Sequence, residues 1–328
     1  SSFVGAGYNG IIAKTTGGVT YEPVSTSFEA AQTFPYNTNY ILADGASSLT
    51  IGKAGNSANI TMNSAQTVAG PISIYGGYVN INGNLTSSAT GDIFIKGIAG
   101  TNPSIWVQSG KTITKSGGTG TLTMQGHGRV LHQGSITTSG TGVLNVIFWS
   151  DFDNDNDDGG VSQFGTISTN GGHVWLGGSN SNGGSYTWNG LTVGDGPSIG
   201  STGFNGNAMD IYGNITTNGG DFLAWAGSAA GSSIAGIAND GSGDIVSVGS
   251  GDIVLITDMV SGTAGAAMYF TQSGGTFTLV PHDGSFRSAF NWNPAIQTYI
   301  GSTADDYNIQ AGDFDWLGIG DLNSISRL

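Results

Sequence analysis

The chain has 328 residues and a formal net charge of −14, and its eight Lys and Arg are scattered along it. No basic patch exists to meet a phosphate backbone, which excludes nucleic acid as a partner, and the absence of cysteine excludes disulfides, thiol catalysis and Cys-ligated zinc. Gly supplies 58 residues while charged residues make up only 9%, against an average of about 25%.

A content of 38% hydrophobic and 10% aromatic residues is enough for a core. The glycines do not fall every third residue, so neither disorder nor a collagen helix is expected. Short Val, Ile, Thr and aromatic runs are punctuated by Gly, Asn, Asp and Ser, which reads as all-β with many tight turns. No apolar run reaches about 18 residues, so no membrane-spanning helix is expected.

In chain order, residues 1–18 open at Ser1-Ser2-Phe3 without initiator Met, basic region or signal peptide. They read as the end of a preceding unit in a longer protein. VTYEPVSTSFEAAQTF begins at Val19 and FTLVPHDGSFRSAFNW at Phe277. At an offset of 258, Gly17 meets Gly275, Thr20 meets Thr278, Pro23 meets Pro281, Ser27 meets Ser285, Phe28 meets Phe286 and Ala31 meets Ala289. This predicts one full long unit over 19–276, with 277–328 opening the next. Residues 19–58, with Pro23 and Pro35, are expected to form an irregular inter-unit β element, and 59–276 a regular stretch. Residues 277–328, with Pro281 and Pro294, are expected to be less regular again.

Between residues 59 and 276 a phrase recurs: GNLTSSATGDIFI from Gly83, GSITTSGTGVLNV from Gly134, GTISTNGGHVWL from Gly165 and GNITTNGGDFLAW from Gly213. An apolar anchor is followed eight positions later by another, pairing Leu85 with Ile93, Ile136 with Leu144, Ile167 with Trp175 and Ile215 with Leu223. The anchor series runs Leu85, Ile113, Ile136, Ile167, Leu191, Ile215, Ile237, with gaps of 28, 23, 31, 24, 24 and 22. Runs such as VNIN, IFI and LNV alternate with the period of a strand. Coils of about 22–24 residues carrying such runs predict a right-handed parallel β-helix, a solenoid in which each coil buries its apolar row against the next at about 4.8 Å. A string of β-sandwiches is the competing all-β architecture, and like residues at like positions favour the solenoid.

The sharpest chemical signal is DFDNDNDDGG, which stretches one gap to 31. Asp151, Asp153, Asp155, Asp157 and Asp158 precede two glycines, and alternating Asp/Asn with a terminal Gly resembles the oxygen-rich part of a calcium loop. The Glu that would complete an EF-hand is missing, since Phe164 stands at its place. The alternative is a solvated acidic loop.

Elsewhere the chemistry is thin. His127, His132, His173 and His282 show no metal-binding spacing. Asp157-Asp158 and Asp305-Asp306 are sequence neighbours that would face opposite sides of a strand, which speaks against a glycosidase pair. Asn59, Asn84 and Asn214 each open an Asn-x-Thr triplet; Asn84 and Asn214 share one position in the repeat, where a corner hydrogen bond is the expected role. Thr137-Thr138 and Thr216-Thr217 raise ice binding, but only short ladders are visible. Trp149, Trp175 and Trp225 end the runs after an anchor and are expected as core stacks.

Taken together, TYEPVSTSFEAA with its echo TLVPHDGSFRSA, LTIGKAGNSANITM, AGPISIYGGYVNINGNLTSS and FWSDFDNDNDDGGV followed by ISTNGGHVWLGG resemble repeats of giant bacterial surface adhesins. These are filamentous-haemagglutinin-like proteins, and especially the gliding-motility adhesins exported by the type IX system. The resemblance implies a secreted, extracellular fibre at the bacterial cell surface that contacts surface glycans, cells or abiotic surfaces. It supplies no catalytic residues, so no enzyme is expected. The rival readings are a carbohydrate-binding or polysaccharide-degrading β-helix and an ice-binding solenoid. Expected neighbours are further units of the same polypeptide, and homo-oligomers through unpaired strand edges.

Overall fold

Three parallel sheets run the length of the molecule, and the chain visits them in turn. Ile72–Gly76 lies in the first, Val79–Ile81 in the second and Leu85–Ser87 in the third, before Ile93–Gly97 returns to the first. The structure, a computed structural model, describes residues 11–13, 15–35, 40–42, 45–100, 102–155, 159–200, 207–227, 236–239, 245–258, 260–262, 269–282, 291–293, 298–300 and 306–307. The sheets contain eleven, nine and eight strands, and their strands cycle in register as a parallel β-solenoid.

Alternation drives this arrangement. Along Ile93–Gly97, Ile93 and Ile95 are buried while Phe94 and Lys96 are half-exposed. Ile93 pairs with Ile72 on one side and Leu122 on the other, so equivalent apolar residues stack rung upon rung. Leu85, Ile113, Ile136, Ile167 and Ile215 form the matching column in the third sheet. These side chains belong to one continuous interior cluster and are fully or almost fully buried. Each full burial of an aliphatic side chain stabilises by about 1.5–3 kcal/mol.

Two of the seven predicted anchors fall elsewhere. Ile237 lies in the second sheet, opposite Met209 and Val260, and Val246 takes the rung above Ile215. Leu191 belongs to no coil: it pairs with Trp188 in an antiparallel hairpin, Ser185–Trp188 with Leu191–Gly194. The spacing of eight also drifts. Val174 and Phe222, not Trp175 and Leu223, occupy the interior column above Val146. Leu144 does face the interior, but on a level with Gly120.

Coil length is correspondingly variable. Steps along the first-sheet column match the 22–24 expectation at Leu49 to Ile72 and Ile253 to Phe277, shrink to 21 from Ile72 to Ile93 and reach 48 from Val174 to Phe222. Val19 and Phe277, joined by the 258 offset, stand at the two ends of this one column. Its ten rungs take nine steps, about 43 Å of rod at the strand spacing. That is fewer coils than a uniform period gives, because the extra residues leave as loops. Residues 19–58 contribute rungs as well: Gly18–Tyr21, Gln32–Phe34 and Ser48–Ile51 are paired members of the first two sheets. Beyond the solenoid strands, Asn291–Asn293, Thr298–Ile300 and Asp306–Tyr307 form a separate antiparallel sheet.

Glycine is needed where coils touch at their corners. A Cβ on Gly165 would lie 1.6 Å from the Gly134 oxygen, one on Gly172 2.1 Å from the Leu144 oxygen, and one on Gly220 2.1 Å from the Gly172 oxygen. The corner Asn residues bond across the same gap: Asn84 Oδ1 accepts from Thr112 N at 3.0 Å and Asn214 Oδ1 from Ile245 N at 2.8 Å. Gly171 differs, with φ +95° but open space around its would-be Cβ. Gly172→Ala is therefore expected to cost about 3 kcal/mol, at the upper end for overpacking, and Gly171→Ala about 1 kcal/mol of left-handed strain. Denaturant unfolding of the two variants measures this, and equal losses would contradict coil contact as the reason for glycine.

Candidate functional site

The acidic loop leaves the first sheet after Val143–Trp149 and enters the second at Val161–Gln163. Ser150 N donates to Gly177 O at 3.0 Å, which holds the strand end. The chain then turns at Asp151, whose φ of 48° is left-handed, and again at Asn154 with φ 52°. Phe152 N donates to Gly126 O at 3.0 Å and Gly183 N to Phe152 O at 2.8 Å, so the loop is sewn to the coil on each side. Gly159 closes it, because a Cβ there would sit 2.3 Å from Asp151 Cβ.

This folding converges three of the predicted ligands. Asp151, Asp153 and Asp155 each offer a carboxylate oxygen within 4.8 Å of the others, graded from buried through half-buried to exposed. Hard oxygen donors on a tight turn are the donor set that suits a hard divalent cation, so the residues fit a metal ion. Asp157 and Asp158 lie outside the described residues.

Two basic residues that the sequence left scattered are gathered here. His127 Nδ1 lies 2.9 Å from Asp153 Oδ2, and Lys96 Nζ sits 3.9 Å above the Phe152 ring. The His127 ring also stacks on Phe152, with centroids 5.9 Å apart and planes at 18°. Burial pushes both groups below their ordinary pKa, with Asp153 opposing the shift in each case. No spacing rule reaches such a site, since Lys96, His127 and Asp153 come from successive coils joined by turns of different length.

A second patch lies beside the loop. The hairpin turns at Asn189-Gly190, with φ of 48° and 76°, the two left-handed residues of a two-residue hairpin turn. It covers the outward face of the first sheet and buries Ile147, Trp149, Trp175, Val193 and Leu223 as a separate cluster. Trp149 and Trp175 are thus buried, but outside the solenoid interior where core stacks were expected. Trp225 packs at its margin, and its Nε1 donates to His282 Nδ1 at 3.1 Å.

The remaining polar groups tie coils together. Arg129 reaches across two rungs to Ser162 and to Asp210, whose Oδ2 is 3.3 Å from Nη1, and Ser162 donates to the same oxygen at 2.8 Å. All three are buried. Lys115 points inward and gives its ammonium protons to Ser87 Oγ at 2.9 Å, Gly91 O at 2.7 Å and Ala89 O. His173 sits in a ladder of inter-coil bonds: Asn145 Oδ1 accepts from His173 N at 2.9 Å, His173 Nδ1 from Asp221 N at 2.9 Å, and Asp221 Oδ1 from Asp252 N at 2.8 Å. The variable residue at this position is an acceptor for the next coil.

His132 stands apart. It faces the interior between Val107 and Gln163 of its column, is fully buried, and meets Phe148 edge-on at 5.5 Å. Neither ring nitrogen has a hydrogen-bond partner among the described residues. Burial lowers its pKa from 6.5 to about 3. Between those values the unfolded chain binds the proton and the folded chain does not, so stability falls as pH drops through 6.5 towards 3. His132→Leu is expected to remove this component, which amounts to about 2 kcal/mol between pH 7 and pH 5. Paired urea titrations check it, and parallel stability curves for the two proteins would contradict it.

No protein-family model, curated protein or solved structure matches this chain.

Proposed function

We propose that the chain is a structural and adhesive segment of a large secreted fibre on a bacterial cell surface, attaching it to glycans, cells or abiotic surfaces. The observation that carries this reading is the continuity of the three sheets: the first-sheet column runs through ten rungs in register. Backbone bonds along the axis and one continuous apolar cluster along the interior make such a rod resist bending and pulling, which is what a tethered fibre needs. Repeated faces along it supply avidity from weak single contacts. The resemblance to the gliding-motility adhesins, which implies a long secreted surface fibre, supports this reading, and neighbouring units of the same polypeptide would continue the stack.

Calcium is the ion we assign to Asp151, Asp153 and Asp155. Three carboxylates provide the hard oxygen donors it prefers, and an extracellular fibre meets it at high concentration. Bound there, it would clamp the acidic turn between the first two sheets to the neighbouring hairpin.

One set of measurements tests both statements. Glycan-array and surface-adhesion assays are run with and without calcium, alongside a reducing-sugar assay and calorimetric titration of wild type and Asp155→Ala. Retention without turnover is expected, with calcium binding lost in the variant and about 2.7 kcal/mol of stabilisation at a hundredfold excess over Kd in wild type. Turnover of any polysaccharide would overthrow the adhesive reading in favour of the degradative one. Identical titrations for the two proteins would overthrow the calcium assignment.

A further inference from the structure

The outward face of the third sheet carries an unbroken line of hydroxyls. Thr67 pairs with Thr86, Thr86 with Thr114, and Thr114 with Thr137. Ile136 pairs with Ile167, which sets Ser168 in line with Thr137. Ser168 then pairs with Thr216, Thr216 with Ser247, and Ser247 with Thr271. Every strand of the eight-stranded sheet thus contributes one Thr or Ser, and all eight are half-exposed. Beside them, two residues earlier on their strands, Thr112, Ser135 and Thr166 form a second rank, in which Thr166 Oγ1 donates to Ser135 Oγ at 3.1 Å.

Three further features separate this face from an ordinary polar surface. In a chain with 22 Asp and Glu, the eight strands contain none. Their one charged residue, Lys115, is turned inward and saturated by protein acceptors. The hydroxyls of Thr67, Thr86, Thr114 and Thr216 have no protein partner among the described residues, whereas Thr137 Oγ1 donates to Thr138 O at 3.3 Å. They are left to solvent on a rigid lattice.

That lattice has a geometry. In-register parallel strands repeat at about 4.8 Å, and residues two apart on a strand at about 6.6 Å. Threonine is stiff at χ1, so the threonine rungs present hydroxyl and methyl in a fixed sense, while Ser168 and Ser247 present a hydroxyl alone. Water held between such groups is ordered along the axis at the first repeat, which lies close to an oxygen spacing on a prism face of ice, and Thr112, Ser135 and Thr166 extend that order sideways over three rungs. An ionic side chain would impose its own hydration shell and break the order. A sugar-binding face would instead call for aromatic platforms or carboxylates, and the strands from Gln66–Val68 through Ile245–Gly249 have neither. We infer that the Thr67–Thr271 face of the third sheet binds ice, so that the surface gripped by this fibre segment includes frozen water. The inference rests on the adhesive reading and names one of its surfaces.

The test is adsorption of the dye-labelled full chain to a slowly growing ice hemisphere, with cellulose and chitin retention measured in parallel. Wild type and a first-sheet control, Thr123→Lys, are expected to be incorporated into the ice. The double variant Thr114→Lys/Thr137→Lys is expected to be excluded like a non-binding protein, with circular dichroism checking the fold. Thr137→Tyr, which blocks the face by bulk and keeps it uncharged, is expected to be excluded as well and serves if the lysine variant does not fold. Exclusion of wild type from ice, or incorporation of a folded ladder variant equal to wild type, would overturn the inference. Retention on cellulose or chitin without ice adsorption would also overturn it, while leaving the adhesive reading standing.

Discussion

Everything in this molecule depends on one constraint: each coil must lay its backbone on the previous coil at strand spacing. Once that distance is fixed, the interior columns follow, because an apolar residue that drops out of line would face solvent and pull its neighbours with it. Glycine follows too. At the corners any side chain on Gly165, Gly172 or Gly220 would occupy the position of a carbonyl on the coil beneath. The high glycine content of the chain is in part what this stacking requires.

The constraint binds strands and corners but not turns. A coil can therefore lengthen without disturbing the columns, provided the extra residues leave and return at one corner. The acidic loop and the hairpin both do this between the first and second sheets. They then meet outside the rod, where Asn154 Nδ2 donates to Asn180 O at 2.9 Å. The solenoid thus supplies rigidity while the insertions at one edge supply local chemistry: the carboxylate cluster, the His127 and Lys96 contacts and the buried tryptophans. The third sheet keeps its strands in register from Gln66–Val68 to the Ser247 rung.

How much of this could be read from sequence depends on distance along the chain. The all-β solenoid, the Leu85, Ile113, Ile136, Ile167 and Ile215 column and the convergence of Asp151, Asp153 and Asp155 were legible because each rests on local alternation or a short motif. Leu191 leaves the column because Asn189-Gly190 is a two-residue hairpin turn, while its gap of 24 on either side mimics a coil. Ile237 misled for another reason, since a second-sheet strand offers the same apolar phrase as a third-sheet one. The threonine line was visible only in fragments, because its members are 19, 28, 23, 31, 48, 31 and 24 residues apart. Spacing along the chain hides a column whose spacing in space is uniform.

The absence of native cysteine allows that uniformity to be measured directly with spin labels at paired cysteine substitutions. Thr67→Cys is combined in turn with Ser168→Cys and with Thr216→Cys, and the two distances are read by pulsed electron resonance. The second pair spans 48 more residues but only one more rung, so the distances should be about 19 Å and about 24 Å. A difference set by chain length, or distances that do not rise by a single strand spacing, would contradict the stacked solenoid on which the account stands.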